Sequence, residues 1–486
     1  MKAFETKTEL LPYQFDAVAK VLPARVNALF MDMGTGKSRT TIELVRIRHK
    51  KIDKVVWCCP KALMTTVFYE LLKHTNCTAE EDIYVFDRRT TQRRIPRDRA
   101  WYIVAIESLS SSRRVTLALN SIITEESYVI MDESSYIKGH SALRTQRITL
   151  MAERCRYRTI LTGTAISQGI VDLYAQMAFL SPKILGYKTF STFAANHLEY
   201  SDDFPGMIVR SHNIPYLAEK IKPYVYQCRK EECLELPEKL FSRRCLQLSD
   251  EQRVAYETAK DEYAEKMNEI LDRGDTHKLS VLIFALFTAL QSIICGFWNH
   301  RDKDGKMVFE TLENYRPDMA MNVLRSIPDK EAKVIIWCKY HYALKELNDR
   351  ICAEFGAGKV AQFHGKVPVA RRVAEQERFE KGARFLLATQ GCGGHGLNLQ
   401  LCHYQLFYAN SFKYSERLQA EDRCHRHGQE YPVTYIDLHT LGTIDDKKGD
   451  ELDTKGNALQ SFRTQIEKVK KDKKRSKIVE DLIRSL

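Results

Sequence analysis

The feature that most constrains this chain is a pattern that recurs through its first half. A short apolar, β-rich run is followed by a polar turn and then by a helical stretch. "NALFM" leads into "DMGTGKS" and the helix-like "RTTIELVRIRHK", and "KVVWCCP" precedes "KALMTTVFYELLKH". "WYIVAIES", "SYVIMDES" and "YRTILTGT" continue the series. Continuously apolar strands that alternate with helices have both faces covered, which requires a parallel sheet in an α/β fold. The pattern returns in "AKVIIWCK", "VAQFHG", "RFLLATQ", "YQLFYAN" and "VTYIDL". Two α/β domains are therefore expected. A length of 486 residues accommodates them.

Between the two halves the pattern stops. "SDEQRVAYETAKDEYAEKMNEILD" and "KLSVLIFALFTALQSIICGFW" read as helices, and "NHRDKDGKMVFETLENYRPD" as an exposed loop or hairpin. The expected organisation is a first lobe at 1–230, a helical insertion at 231–328, a second lobe at 329–446 and a basic helical tail at 447–486 containing "KVKKDKKRSK". No run of eighteen apolar residues is present, so no membrane association is expected, and "MKAFETKTEL" lacks the apolar core of a signal peptide. The thirteen cysteines contain no C-x-x-C pair and read as reduced, mostly buried thiols. The expected location is cytoplasmic, or nuclear in a eukaryote. A net charge of +12 favours a polyanionic partner.

Two motifs suggest phosphate chemistry. "MDMGTGKS" sets Gly34, Gly36, Lys37 and Ser38 between a strand and a helix. Glycines let backbone N–H groups curl around phosphate oxygens, Lys37 reaches the β- and γ-phosphates, and Ser38 ligates Mg²⁺. Met31 stands where the strict pattern has glycine. "VIMDESS" places Asp132 and Glu133 after a strand, where a carboxylate holds Mg²⁺ and a base orients water. Thr162 and Thr164 end a further strand as candidate γ-phosphate sensors. A third stretch, "QAEDRCHRHGQ", is ambiguous alone: Cys424, His425 and His427 suggest zinc, while Arg423 and Arg426 suggest phosphate. No second ligand cluster stands at zinc spacing.

Taken in order, the motifs resemble the Swi/Snf family of helicase superfamily two. "LLPYQFDAV" looks like its adenine-reading segment, with Gln14 at the adenine position. "MDMGTGKS", "MDESSYIK" and "LTGTAISQ" are similar to its motifs I, II and III. "YQCRKEECLELPEK" with "LSDEQRVAYE" resembles its inter-lobe join, which includes Arg229. "FLLATQGCGGHGLNLQLC" resembles motif V, "QAEDRCHRHGQ" motif VI, and "GTIDD" the segment closing the second lobe. The resemblance runs from about Leu11 to Asp446.

The resemblance implies two RecA-like parallel-sheet lobes with helical insertions between them, in a minimal bacterial- or phage-like member. It implies ATP and Mg²⁺, the latter on Ser38 and Asp132. The nucleotide set is Gln14, Gly34, Thr35, Gly36, Lys37, Ser38 and Arg39, and the catalytic set Lys37, Asp132, Glu133, Arg423 and Arg426. Arg423 and Arg426 fall at its arginine-finger positions, which leaves the motif VI cysteine and histidines without zinc. Double-stranded DNA is the implied partner, with a DNA-bound protein such as a polymerase or a replication or recombination factor beyond it. Candidate backbone contacts are Lys61, Ser108, Lys366, Arg371, Gly393, Gly394 and Asn398.

The sequence departs from the family at Ser135 (usually His), Gly139 (usually Asn) and Asp32 (usually Glu), and "LQSIICGFW" lacks a usual arginine. Trp57, Trp101 and Trp337 read as core rather than as base-stacking platforms, His364 and His395 as residues of a strand-end loop and a cleft loop rather than catalytic groups, and Lys138 as a support of motif II. Three functions follow. A duplex translocase that does not separate strands is favoured. A strand-separating helicase or RNA-dependent ATPase, and a nucleic-acid scaffold with a dead ATP site, are the alternatives.

Overall fold

The computed structural model describes residues 1–163, 169–200, 208–273, 276–301, 304–393, 399–412, 414–446 and 475–486. The chain forms two compact units, Met1–Glu235 and Leu236–Leu486. Both are α/β, each built on a parallel sheet.

In the first unit the strands are β1 (Val26–Met31), β2 (Val55–Cys59), β3 (Ile83–Val85), β4 (Trp101–Ala105), β5 (Tyr128–Asp132) and β6 (Tyr157–Thr162). A small antiparallel pair, β7 (Leu198–Tyr200) with β8 (Ile208–Ser211), precedes β9 (Val225–Cys228). The main sheet runs β3-β4-β2-β5-β6-β1-β9. Its pairings are parallel throughout, for example Phe30 opposite Thr162 and Asp132 opposite Leu161. Strands β2, β4 and β5 are buried along their whole length, as doubly covered strands must be. Two hydrophobic clusters cover the two faces. One holds Ile160, Met131 and the helix Val171–Leu180, the other Leu161, Trp57 and the helix Lys37–Arg48.

The second unit begins with β10 (Lys239–Leu246). A hairpin of β11 (Phe297–Arg301) and β12 (Met307–Thr311) follows, then β13 (Val334–Cys338), β14 (Val360–Phe363), β15 (Phe385–Thr389), β16 (Tyr404–Phe407) and β17 (Val433–Thr440). The main sheet runs β10-β17-β16-β13-β15-β14, again parallel. The expected helical segment 231–328 is not a separate body. Its β10 is an edge of the second sheet, and its helices Asp250–Asp272 and Thr276–Ile294 pack within the second unit. The long helix starts with a capping box in which Ser249 and Gln252 satisfy each other's backbone N–H groups.

The "GTIDD" segment closes the second unit by charge. Arg316, fully buried, donates to the Asp445 carboxylate, to Thr440 Oγ1 (2.8 Å) and to the Tyr408 carbonyl (2.5 Å). Asp446 holds His439 (2.6 Å) and the Gly442 N–H (2.7 Å). Helix Arg475–Arg484 buries Val479 and Ile483 in the same apolar cluster as helix Asp250–Asp272. Tyr256 donates its hydroxyl proton to the Leu486 carbonyl (2.8 Å). The basic stretch before that helix falls mostly outside the described residues, as does all of 447–474.

The cysteines differ from expectation in one place. Ten described cysteines are free and mostly buried, but Cys228 and Cys233 form a disulfide. The turn from β9 into the short helix Lys230–Cys233 brings their Cα atoms to 6.8 Å, a proximity that C-x-x-C spacing does not signal. Trp57, Trp101 and Trp337 are all core residues.

Candidate functional site

In the first unit, β1, β5, β2 and β4 all end at one edge of the parallel sheet, and the phosphate-type residues gather there. The loop after β1 turns at Gly34 (φ 81°) and Gly36 (φ 80°), left-handed conformations that glycine adopts without strain. Gly36 is the N-cap of helix Lys37–Arg48, whose first N–H groups and positive dipole end form an anion-binding terminus. Gly36 also has no room for a side chain, because an added Cβ would collide with the Gln14 amide.

Gln14 is held from both sides. Pro12 starts its helix, Pro12–Val21, and the Gln14 Oε1 accepts the Leu11 N–H (3.1 Å). Its Nε2 donates to the Thr35 carbonyl (3.0 Å), which also accepts from Tyr13 OH (2.9 Å). The Thr35 hydroxyl is turned inward to the Asp32 carbonyl (2.7 Å). Lys37 Nζ donates to the carbonyls of Met31 (2.8 Å) and Asp32 (3.2 Å), which aim the ammonium over the end of β1. The Ser38 hydroxyl makes no hydrogen bond with the described residues.

Asp132 ends β5 and is almost wholly buried. Burial pushes its carboxyl above the usual carboxylate range, opposed by the Lys37 charge and by hydrogen bonds from Trp57 Nε1 (3.3 Å) and the Glu133 N–H (3.0 Å). Lys37 and Asp132, 95 positions apart in the sequence, are thus electrostatic neighbours across β6. Glu133 is buried and left-handed (φ 49°), which costs a non-glycine residue about 1–2 kcal/mol. Thr162, fully buried, ends β6 between them, and Gly163 lets that turn close on the loop: a Cβ there would stand 3.4 Å from the Met33 nitrogen. Thr164 lies outside the described residues.

An oxygen donor pair of Ser38 hydroxyl and Asp132 carboxylate suits Mg²⁺, a hard cation that takes oxygen ligands. Not every expected nucleotide residue faces this site. The Arg39 guanidinium is buried against Glu43 (2.9 Å) and Thr8 (carbonyl 2.7 Å) and ties the helix to the N-terminal segment. Asp32, the shortened motif I acid, accepts the Lys230 N–H at 2.9 Å, so the join segment is anchored to the phosphate loop. Neither the Trp57 nor the Lys230 link has a signal in the local sequence.

Lys61 and Ser108 are brought together at the same edge. The Glu107 carboxylate accepts the Lys61 N–H (3.0 Å), which joins the ends of β2 and β4. Motif II is braced from beneath, where Ser134 donates to Gln176 (2.5 Å) and Lys138 pairs with Asp172 (3.4 Å).

In the second unit, helix Tyr414–Glu421 leads into Arg423 and Arg426. Arg417 organises that helix. Buried, it bonds Glu421 (2.8 Å), Asn410 (2.9 Å) and both Asp437 oxygens, with its guanidinium 3.4 Å from the Phe407 ring centre. The i,i+4 pair Arg417–Glu421 was visible in "SERLQAED"; the distant Asp437 was not. The turn that follows is pinned by the Gln429 amide, which reaches the carbonyls of Gln400 (2.8 Å), Cys402 (3.2 Å) and Cys424 (3.2 Å). Arg423 Nε donates to the Gln419 carbonyl (3.2 Å), and a His425 ring nitrogen meets the Pro237 carbonyl (2.7 Å). Cys424 is fully buried, which pushes its thiol well up. Among the described residues no cluster of three or more His, Cys, Asp or Glu could hold a metal.

Lys366 and Arg371 line one cavity of about 440 Å³ with Arg378, His364 and Glu375, at the start of helix Val369–Lys381. Gly393 ends a short helix, Gln390–Gly393. Gly394, His395 and Asn398 lie outside the described residues.

With this geometry in place, comparison with known proteins is informative. The SNF2-related domain matches residues 19–296 and the helicase conserved C-terminal domain residues 318–428. The chain belongs to the SNF2-related family. Relatives are distant in sequence. An uncharacterized ATP-dependent helicase of Mycoplasma genitalium is 24% identical over 66% of this chain and 29% of its own length. The TATA-binding protein-associated factor mot1 of Aspergillus fumigatus is 25% identical over 91% of this chain and 26% of its own. The SWI/SNF-related regulator of chromatin containing DEAD/H box 1 of Rattus norvegicus is 22% identical over 66% and 35%. This SNF2-related chain thus spans about a quarter to a third of the curated relatives it matches. The Sulfolobus solfataricus SWI2/SNF2 ATPase core in complex with dsDNA aligns over 100% of this chain and 98% of that one, at 19% identity and a TM-score of 0.42. No helix among the described residues is long and apolar enough to cross a membrane.

Proposed function

We propose that this SNF2-related chain hydrolyses ATP to move along double-stranded DNA, and so remodels or displaces protein bound there. The observation that carries the reading is the convergence of Lys37 with buried Asp132 beside a left-handed glycine loop that caps a helix. Gln14 lies against that loop and in this reading contacts the base, while the loop N–H groups with Lys37 bind the phosphates. Ser38 and Asp132 would hold Mg²⁺, which would supply charge neutralisation for phosphoryl transfer. Glu133 orients the attacking water. Arg423 and Arg426 stabilise transition-state charge, a contribution of about 10³–10⁵ in rate for arginines in this role.

Contacts to DNA go to its backbone rather than to base edges. Lys61 and Ser108 serve from the first unit, Lys366 and Arg371 from the second. Burial of Trp57, Trp101 and Trp337 supports duplex tracking over single-strand stacking. The test is phosphate release by wild type and Lys37→Ala with no nucleic acid, duplex DNA, single-stranded DNA or RNA, at low and moderate salt. Duplex DNA is expected to stimulate most, Lys37→Ala to be silent, and stimulation to fall with salt. Greater stimulation by single strands or RNA would replace translocation with helicase or RNA-dependent chemistry. No hydrolysis under any condition would leave a binding scaffold.

A further inference from the structure

We propose that the first unit carries a second anion site, at the end of its sheet opposite the phosphate loop, which binds a compact, multiply charged phosphate compound. In a parallel sheet all strand starts lie together. The segments preceding β1, β5 and β6, joined by residues after helix Val171–Leu180, enclose a cavity of about 780 Å³ there. The length of a strand, about 17–20 Å, separates it from the phosphate loop. Its volume is that of a small-ligand pocket, with room for a chain of phosphates.

The lining is cationic. Arg25, Arg154, Arg156, Arg158 and Lys183 face two carboxylates, Glu125 and Glu153. Internal pairing absorbs little of that charge. Arg156 meets Glu125 at 3.2 Å, but both are well exposed and such a pair is weak. Arg154 leans on the Asn120 side-chain oxygen (2.7 Å). The side chains of Arg25 and Lys183 engage none of the described residues.

Arg158 decides the matter. Second in β6, it shares the sheet face of Ile160 and reaches inward to the Phe179 carbonyl (3.3 Å) through one terminal nitrogen. Its other terminal nitrogen meets no acceptor among the described residues, and the part-buried side chain lines the cavity. Burial also lowers the guanidinium pKa, opposed only in part by Cys155 and Glu153. Phosphate oxygens supply both the acceptor and the counter-charge, and guanidinium forks match their geometry. The concavity favours a free polyphosphate over a DNA backbone.

The inference does not rest on the ATPase reading. Inorganic tripolyphosphate is titrated calorimetrically into the full chain at low salt, in wild type, Lys37→Ala, Arg25→Glu/Lys183→Glu and Arg158→Gln. A binding event is expected to survive Lys37→Ala and to weaken about tenfold or more in the charge-reversed protein, as removal of charge-assisted hydrogen bonds predicts. Arg25 and Lys183 are exposed, so that variant should melt like wild type, and it keeps the test valid if Arg158→Gln fails to fold. Loss of all tripolyphosphate binding in Lys37→Ala would overturn the proposal, as would a change of less than about twofold in the double variant, the scale of a surface charge alone. Competition by a short duplex would assign the phosphates to DNA; indifference to duplex would assign them to a free compound.

Discussion

Gly36 offers a sharp test of how Gln14 and the glycine loop are coupled. Alanine at Gly36 must adopt φ near 80°, which costs about 1–2 kcal/mol. Its Cβ also drives the Gln14 side chain out of place. Gln14 then loses its bonds to the Thr35 carbonyl (3.0 Å) and the Leu11 N–H (3.1 Å), each contributing about 1 kcal/mol. Gly36→Ala should therefore destabilise the first unit by about 3–4 kcal/mol. In a Gln14→Ala background the collision and both bonds are already gone, and only the backbone cost of about 1–2 kcal/mol remains. The expected coupling is about 2 kcal/mol, well above the scatter of independent sites. Urea unfolding of the four proteins of this cycle measures it, and ATP-analogue binding gives a parallel readout. Equal costs of Gly36→Ala in both backgrounds would refute the reasoning, since the Gln14 hydrogen bonds would then carry no energy.

Three further outcomes are expected. Asp132→Asn should reduce phosphate release to background yet raise the melting temperature of the nucleotide-free protein at neutral pH. A carboxylate whose folded pKa is raised stabilises the fold below its unfolded pKa and loses that as pH rises through the folded value, so the variant's advantage should shrink as pH falls toward the carboxylate range. Arg316→Met should cost about 3–5 kcal/mol in chemical denaturation, because Asp445 is left buried without its cation, and adding Asp445→Asn should restore much of it. Lys366→Glu/Arg371→Glu should weaken duplex stimulation and flatten the log–log salt dependence of duplex affinity by about 2, or about 0.9 for each DNA phosphate no longer neutralised; an unchanged slope would place the DNA elsewhere.

The strands that were legible in the sequence are those buried on both faces. "VVWCC", "YVIMD" and "VIIWC" read as unbroken apolar runs because each is covered by helices on both sides. The strands that were missed lie at sheet edges. β3 has three residues, β9 is half-buried, and "KLFSRRCL" alternates too much charge to look like a strand until β17 pairs with it. The glycine turn before helix Lys37–Arg48 was legible because backbone geometry and glycine position are local properties. Arg39 misled for the same reason: it follows Ser38, but a helix turns each residue by about 100° from the last and carried it toward Glu43 and Thr8. Links such as Trp57 to Asp132 or Asp32 to Lys230 arise from the order of strands in the sheet, which no short window encodes.

The edge position of β10 also sets a timetable. All strands of the first sheet are made by Cys228, so that unit can finish folding while the ribosome still has the whole second unit to add. At about 5–20 residues per second that interval is roughly 10–50 s. β10 emerges early in that interval but must wait for β17, whose synthesis ends only at Thr440, before its backbone is paired. Throughout that wait it is an open strand able to recruit neighbouring nascent chains. Lys239, Arg243 and Arg244 repel such partners, so the charges that hid this strand from a reading of the sequence are also what keep it soluble until its own partner arrives.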